Sequence, residues 1–171
     1  MNMEFPPAVR LQGQRLLLVP LTVEAAADMV PVLASPSLYE HIGGSPPSLS
    51  ELTTRYERQV AGPGTAHEAW LNWIVRDEDG AVGYVQATVR HRGHEVEAEV
   101  AWVVRPEAQG RGVATDAASV MIEHLLAHGV SNVTAKIADA NAASTSVARR
   151  LGMHRTDVER DGEQVWLLAA T

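Results

Sequence analysis

The stretch "VVRPEAQGRGVATDAASVM", Val103 to Met121, decides the fold. Val103 and Val104 are β-branched and read as the end of a strand, and Pro106 stops it. Beyond the proline, Gly110 and Gly112 flank Arg111, and an apolar pattern at helical spacing follows: Val113, Ala117, Val120, Met121, Leu125 and Leu126, closed by Gly129 as a C-cap. Helix openings are usually capped by Ser, Thr, Asp or Asn, whose side chains satisfy free backbone N–H groups. Glycine supplies no such cap. A run of small residues leaves those N–H groups and the positive end of the helix dipole facing one point, which suits a phosphate or pyrophosphate oxygen. A tight turn without a ligand has the same sequence, so the glycines alone do not choose. Two phosphate motifs are excluded. The third glycine and the downstream ribose acid of a dinucleotide fingerprint are lacking, and no Gly-Lys-Ser/Thr marks a P-loop.

Length and composition narrow the class. A chain of 171 residues fits one domain over 1–171, with 1–14 as an extended N-terminal segment, and can bury roughly two-thirds of its unfolded surface. It has no cysteine, which removes disulfides, thiolate metal ligands and a Cys nucleophile. No leader-like segment and no bilayer-length apolar run occur, so the expectation is a cytoplasmic protein without a membrane partner. Phosphate contacts along a nucleic acid need clustered Lys and Arg; with a formal charge of -7 and the single lysine Lys136, no nucleic-acid partner is expected. The acidic excess tolerates a cationic partner, though it also serves solubility.

Outward from the opening stretch, "EVEAEVAWVV" (Glu95 to Val104) alternates charged and apolar residues, the period of a strand with two unlike faces. Glu95, Glu97, Glu99 and Ala101 share one face; Val96, Ala98, Val100 and Trp102 share the other. A bulge would change which glutamate points inward. Upstream, "AWLNWIVR" and "AVGYVQATVR" form a hairpin across "DEDG". Nearer the N-terminus, "RLLLVPL" is a strand, Thr22 can cap a helix that Pro31 should kink or interrupt, and Ser48 with Glu51 forms a capping box for a helix to Ala61. Downstream come the strand "NVTAKIA", the helix "NAASTSVARRLG" capped by Asn141, and the strand "QVWLLAA".

This order, with "QGRGVA" at Gln109 to Ala114 and "NAASTSVARRLGM" from Asn141, resembles the GNAT superfamily of acyl-CoA-dependent N-acetyltransferases over nearly the whole chain. The resemblance implies a mixed α/β (α+β) fold with a central, mostly antiparallel sheet of six or seven strands and about four helices. It implies acetyl-CoA as cosubstrate: the backbone of Gln109, Gly110, Arg111, Gly112, Val113 and Ala114 at the pyrophosphate, Val103 and Val104 pairing with pantetheine like a missing strand, and Asn141 and Ser144 meeting it from the other side. "AEVAWVVRPEAQGRGVATDA" and "RLLLVPLTVEAAADM" look most like the branch that acetylates ribosomal-protein N-termini.

Acyl transfer to nitrogen needs a neutral amine and a departing thiolate. The resemblance points to Glu99, acting directly or through water, as the base, with Glu97 second; an exposed polar strand face is the plainer reading of both. Relatives often place a tyrosine near the second signature helix as the acid. This chain has only Tyr39, Tyr56 and Tyr84, none of them there, so Ser144, a water or no group serves. The function expected is acetyl transfer to a primary amine, on a protein N-terminus or a small molecule, with a CoA-binding module of little turnover as the alternative. Tyr39 and His41, in the loop rich in glycine and proline, are expected to line the mouth through which a cationic amine approaches Glu97 and Glu99. His124 and His128 are spaced i, i+4 but lack the acidic partner of a zinc motif, so no metal is expected. His91 and His94 are read as solvated turn residues, and the four tryptophans, Trp70, Trp73, Trp102 and Trp166, as core. Either a monomer or a homodimer fits.

Overall fold

A computed structural model describes residues 4–170. Two short strands, β1 (Leu11–Gln12) and β2 (Leu17–Pro20), lead to helices α1 (Ala26–Val32) and α2 (Leu49–Ala61). Then come three long strands, β3 (Glu68–Asp77), β4 (Gly80–Arg92) and β5 (Glu95–Val104). Helix α3 (Val113–Ala127), β6 (Asn132–Ile137), α4 (Ala142–Arg150), β7 (His154–Arg160) and β8 (Glu163–Ala169) complete the chain. The strands form one sheet of eight in the order β1-β2-β3-β4-β5-β6-β8-β7. Every neighbouring pair is antiparallel except β5–β6, which α3 joins as a crossover.

The mixed, mostly antiparallel fold matches expectation, but the described strands number eight rather than six or seven. The additions are the two-residue β1 and the edge strand β7, "HRTDVER", which is exposed at six of its seven positions and so shows no apolar alternation. Thr22 precedes a 3-10 turn, Val23–Ala25, and makes no side-chain cap. Pro31 lies inside α1, and the helix ends one residue later. The capping box of α2 is complete: Glu51 N–H donates to Ser48 Oγ at 3.1 Å, and Ser48 N–H to Glu51 Oε1 at 3.1 Å. Among the described residues no helix is long and apolar enough to cross a membrane.

The alternation in β5 survives intact, because its register with β4 runs without a shift from Gly83–Val104 to Arg92–Glu95. Val96, Ala98 and Val100 are therefore buried against α3, with Val85, Ala87, Val89, Val133, Met121 and Leu125. Each such side chain contributes about 1.5–3 kcal/mol when fully buried. The opposite face of the sheet is polar, carrying Asn72, Gln86, Thr88, Glu97, Glu99, Thr134 and Lys136. Helices α1 and α2 cover only one end of it, where Met29, Leu33, Leu52 and Tyr56 gather on Ile74. The rest of that face stays open.

The N-terminal segment is tied down. Trp73 Nε1 donates to Val9 O at 2.8 Å, His124 Nε2 to Pro7 O at 2.7 Å, and the Phe5 ring lies 4.3 Å from that of His91.

Gly83 marks the tightest backbone contact. Opposite β3 the register jumps from Val75–Gly83 to Arg76–Ala81, which leaves Val82 as a bulge. A Cβ at Gly83 would overlap the Val103 carbonyl oxygen and come within 3.0 Å of Val104 Cα. Both neighbours are backbone and cannot rotate away. Gly83→Ala is expected to destabilise the fold by about 1–3 kcal/mol, as overpacking does, and to lower Tm by several degrees. An unchanged Tm would show that the end of β5 can yield.

Candidate active site

The pairing of β5 with β6 covers only Glu97–Asn132, Ala98–Val133 and Glu99–Thr134, and beyond Glu99 the two strands separate. Strand geometry fixes which peptide groups face the gap. Val96 O accepts from Ser131 N–H on the β6 side, and Arg105 N–H donates to Val82 O on the β4 side, so the even-numbered residues of β5 turn toward the gap. Trp102 and Val104 thus present peptide groups there without a strand partner. Val104 O is taken by the Gln109 side chain, whose Nε2 donates at 2.9 Å. Val103 turns its peptide toward β4, opposite Tyr84, so Trp102 rather than Val103 offers the open backbone beside Val104.

A cleft of about 610 Å³ runs through this gap. The openings of α3 and α4 bound it on the apolar side of the sheet, and the turn 37–42 bounds it on the other. Separated strands are what let one cavity touch both faces. Of the residues singled out from sequence, Val103, Val104, Gln109, Gly110, Gly112, Val113, Ala114, Asn141, Ser144 and His41 all line it. Arg111 is exposed and lies outside the lining. Gly112 is the N-cap of α3 with φ +77° and no side-chain cap, and nothing stands within 4 Å of where its Cβ would be. Gly110 has the same φ, +77°, and the same open space. The free N–H groups of the first turn of α3 therefore face an unobstructed cavity, which suits a phosphate oxygen. Thr115, in that turn, lines the cleft with a buried Oγ1 that has no partner among the described residues. Across the cleft, Ser144 N–H donates to Asn141 Oδ1 at 3.2 Å, so Asn141 caps α4 as expected and keeps its amide NH₂ free. These groups fit a pyrophosphate with a pantetheine arm.

Glu97 and Glu99 do not line this cleft. They face a shallower depression of about 290 Å³ on the polar face of the sheet, next to the point where the strands part. Their expected negative field is offset by the same surface: Arg90, Arg92 and Arg160 line it too. Arg92 pairs with Glu97 at 3.5 Å, and Lys136 Nζ stands 3.8 Å from Glu99 Oε1 and 3.1 Å from Asp161 Oδ2. The Asp161 hydrogen bond, with Glu99 adding to it, raises the Lys136 ammonium above its ordinary value and keeps it charged. Glu99 is the last β5 residue paired to β6, roughly 7 Å along the strand from Ala101 at the usual rise per residue.

Tyr39 and His41 part company. His41 lines the cleft, whereas Tyr39 donates its hydroxyl to Leu33 O at 2.8 Å and ties the 3-10 turn Pro36–Tyr39 to the end of α1. Burial, only partly countered by Arg55, pushes the Tyr39 phenol up, which keeps it a donor. Trp102, read as core from its strand pattern, lines the cleft instead, while Trp73 and Trp166 are buried as expected. Its position one residue before Val103 was the available signal. His91 belongs to β4 and stacks on Phe5, whereas His94 is exposed in the turn. The His124 and His128 rings are engaged by backbone carbonyls, Pro7 O at 2.7 Å and His124 O at 2.8 Å, and the described residues hold no cluster of three potential metal ligands.

The comparisons agree with this geometry. The family described as Acetyltransferase (GNAT) domain matches residues 15–154. Among solved structures, Mycobacterium smegmatis RimJ in complex with CoA-disulfide is 15% identical with a TM-score of 0.78, covering 95% of this chain and 88% of that one. RimL, a ribosomal L7/L12 alpha-N-protein acetyltransferase in complex with coenzyme A, is 15% identical with a TM-score of 0.75, covering 96% of each chain. An aminoglycoside acetyltransferase in complex with coenzyme A is 17% identical with a TM-score of 0.73, covering 90% and 94%. With a family match over most of its length and a fold shared with these acetyltransferases, the chain belongs to the GNAT acetyltransferase family.

Proposed function

We propose that this chain is a single acetyltransferase domain that transfers the acetyl group of acetyl-CoA to a primary amine, on a protein N-terminus or a small molecule, by direct attack on the thioester. The observation that carries the reading is the cleft that passes from the uncapped opening of α3 through the β5–β6 gap to the polar face of the sheet. Acetyl-CoA, when bound, supplies an activated acyl thioester. The N–H groups from Gln109 to Ala114 hold its pyrophosphate, and the peptide groups of Trp102 and Val104 pair with its pantetheine arm as a missing strand would. Asn141 and Ser144 meet that arm from α4.

On the acceptor side, Glu99 takes the proton of the incoming amine directly or through a water, because it faces the polar side at the vertex of the gap. A lysine-like amine titrates near about 10.4 and an α-amine near about 8, so the former needs this base most. Glu97, paired with Arg92, is second. The departing thiolate takes its proton from Ser144, which lines the cleft, or from a water, or leaves without an acid. Kinship with the branch that acetylates ribosomal-protein N-termini is consistent with the RimJ and RimL neighbours, although an aminoglycoside enzyme is nearly as similar.

The test is release of free thiol from acetyl-CoA across a panel of amines, peptides and aminoglycosides, alongside the Tm with and without acetyl-CoA. Amine-dependent release is expected. A raised Tm with no release from any amine would favour a CoA-binding module without turnover.

A further inference from the structure

Outside the cleft, a partly open pocket of about 170 Å³ lies between α2 and the polar face of the sheet. Its lining includes Arg55, Tyr56 and Gln59 from α2, Asn72 from β3, and Tyr84 and Gln86 from β4. Tyr56 is 4% exposed, and its hydroxyl is buried without a hydrogen-bond partner among the described residues. A buried phenol left unpaired is costly, and native structures rarely keep one without a use. Arg55, beside it, makes no ion pair among the described residues, and no carboxylate lines the pocket. Burial pushes the Tyr56 phenol far above its ordinary value, so the hydroxyl stays a donor.

The pocket is next to the chemistry. Gln86 and Tyr84 are paired directly across β4–β5 with Ala101 and Val103, the stretch of β5 that borders the gap. Side chains so paired have Cβ atoms about 5 Å apart, close enough for one small molecule to reach from the pocket to the gap. The volume equals roughly five or six water molecules at about 30 Å³ each, enough for a carboxylate or a peptide carbonyl with a few carbons.

We infer that this pocket recognises the amine substrate by a carboxylate or carbonyl oxygen carried close to its amino group, with the Tyr56 hydroxyl and the Arg55 guanidinium as the donors. The substrate class is then α-amino acyl compounds, either free amino acids or peptide N-termini, rather than polyamines. A bare cation finds no carboxylate in the pocket and faces Arg55, whereas an oxygen acceptor satisfies the buried Tyr56 hydroxyl and pairs with the Arg55 guanidinium. The inference rests on the acetyltransferase reading above and adds specificity-determining residues to it.

The experiment measures thiol release from acetyl-CoA with matched sets built on alanine, serine, leucine and lysine: the free amino acid, the dipeptide bearing it at the N-terminus, and the amine that remains when the carboxylate is removed. Wild type is expected to prefer an acyl-bearing member by on the order of 100-fold in kcat/KM, since a site built around hydrogen bonds rejects analogues that lack them. Free amino acid against dipeptide tells the two sources apart. Tyr56→Phe, which deletes only the unpaired hydroxyl, is expected to keep or raise Tm and keep the shift given by acetyl-CoA. It should also raise KM for the acyl-bearing member and shrink the preference to within about tenfold. Arg55→Ala should do the same for the free amino acid most strongly. If the best amine carries no such oxygen, if no member is acetylated, or if Tyr56→Phe slows both compounds equally, the assignment is overturned. If acetyl-CoA gives neither a Tm shift nor thiol release with any amine, the acetyltransferase reading itself has failed.

Discussion

In the Gly112→Glu variant, acetyl-CoA is expected to give no rise in Tm. For the wild type, ligand at 100 times its Kd stabilises a folded protein by about 2.7 kcal/mol, which for a chain of this size is a shift of roughly 5–10 °C. Gly112 is the N-cap of α3 at φ +77°, and the space where a side chain would go is empty for 4 Å around. A glutamate there puts bulk and negative charge where the pyrophosphate would bind, against the positive end of the helix. It also forces an L-residue into the left-handed region, at a cost of about 1–2 kcal/mol, so the variant should fold with a lower starting Tm. Gly112→Ala shares that backbone cost without the charge and should keep part of the shift. A Glu variant that folds and shows the full shift would mean that the 109–114 loop is not where the phosphates bind.

Turnover by Glu99→Gln should fall by on the order of 100-fold or more, with the cofactor-induced Tm shift unchanged. The amide keeps the shape and loses the basicity. Lys136 stays held by Asp161 at 3.1 Å, so the surface around the vertex does not collapse. The amide cannot accept the amine's proton, so the loss should be larger with a lysine-like amine than with an α-amine, which reaches its neutral form with less help. Unchanged turnover would move the role to Glu97 or to no residue.

What the sequence made legible was local. The capping box at Ser48 and Glu51, the alternation of β5 and the helix that follows Gly112 each depend on residues within a few positions of one another, and all are as expected. The uncapped, left-handed opening of α3 was legible because its backbone requirement is written in two glycines. Features that depend on distant partners were not. Nothing local says that β5 pairs with β6 for only three residues, that the Val103 carbonyl stands where a side chain at Gly83 would go, or that Trp102 faces a cavity. The charge count misled as well: Glu97 and Glu99 do share a face, but Arg90 and Arg92 reach it across the β4–β5 hairpin and Arg160 from the distant β7. Tyr56 carries no local signal on α2, and its hydroxyl gains meaning only beside the residues of β3 and β4 that line the same pocket.

Three residue pairs are the whole ladder that stitches the ribbon β1–β5 to the meander β6–β8–β7 among the described residues. On one side of that seam the strands are long and continuously paired; on the other they form a separate three-stranded leaf. A sheet interrupted in this way is held across the seam by the shared core of Val96, Ala98, Val133 and Ala135, by α3, and by whatever fills the split. An extended ligand hydrogen-bonded to Trp102 and Val104 on one lip, and capped by α4 on the other, acts as a splint across the interruption. Acetyl-CoA bound in that way is expected to slow hydrogen exchange at the seam more than in the continuously paired strands.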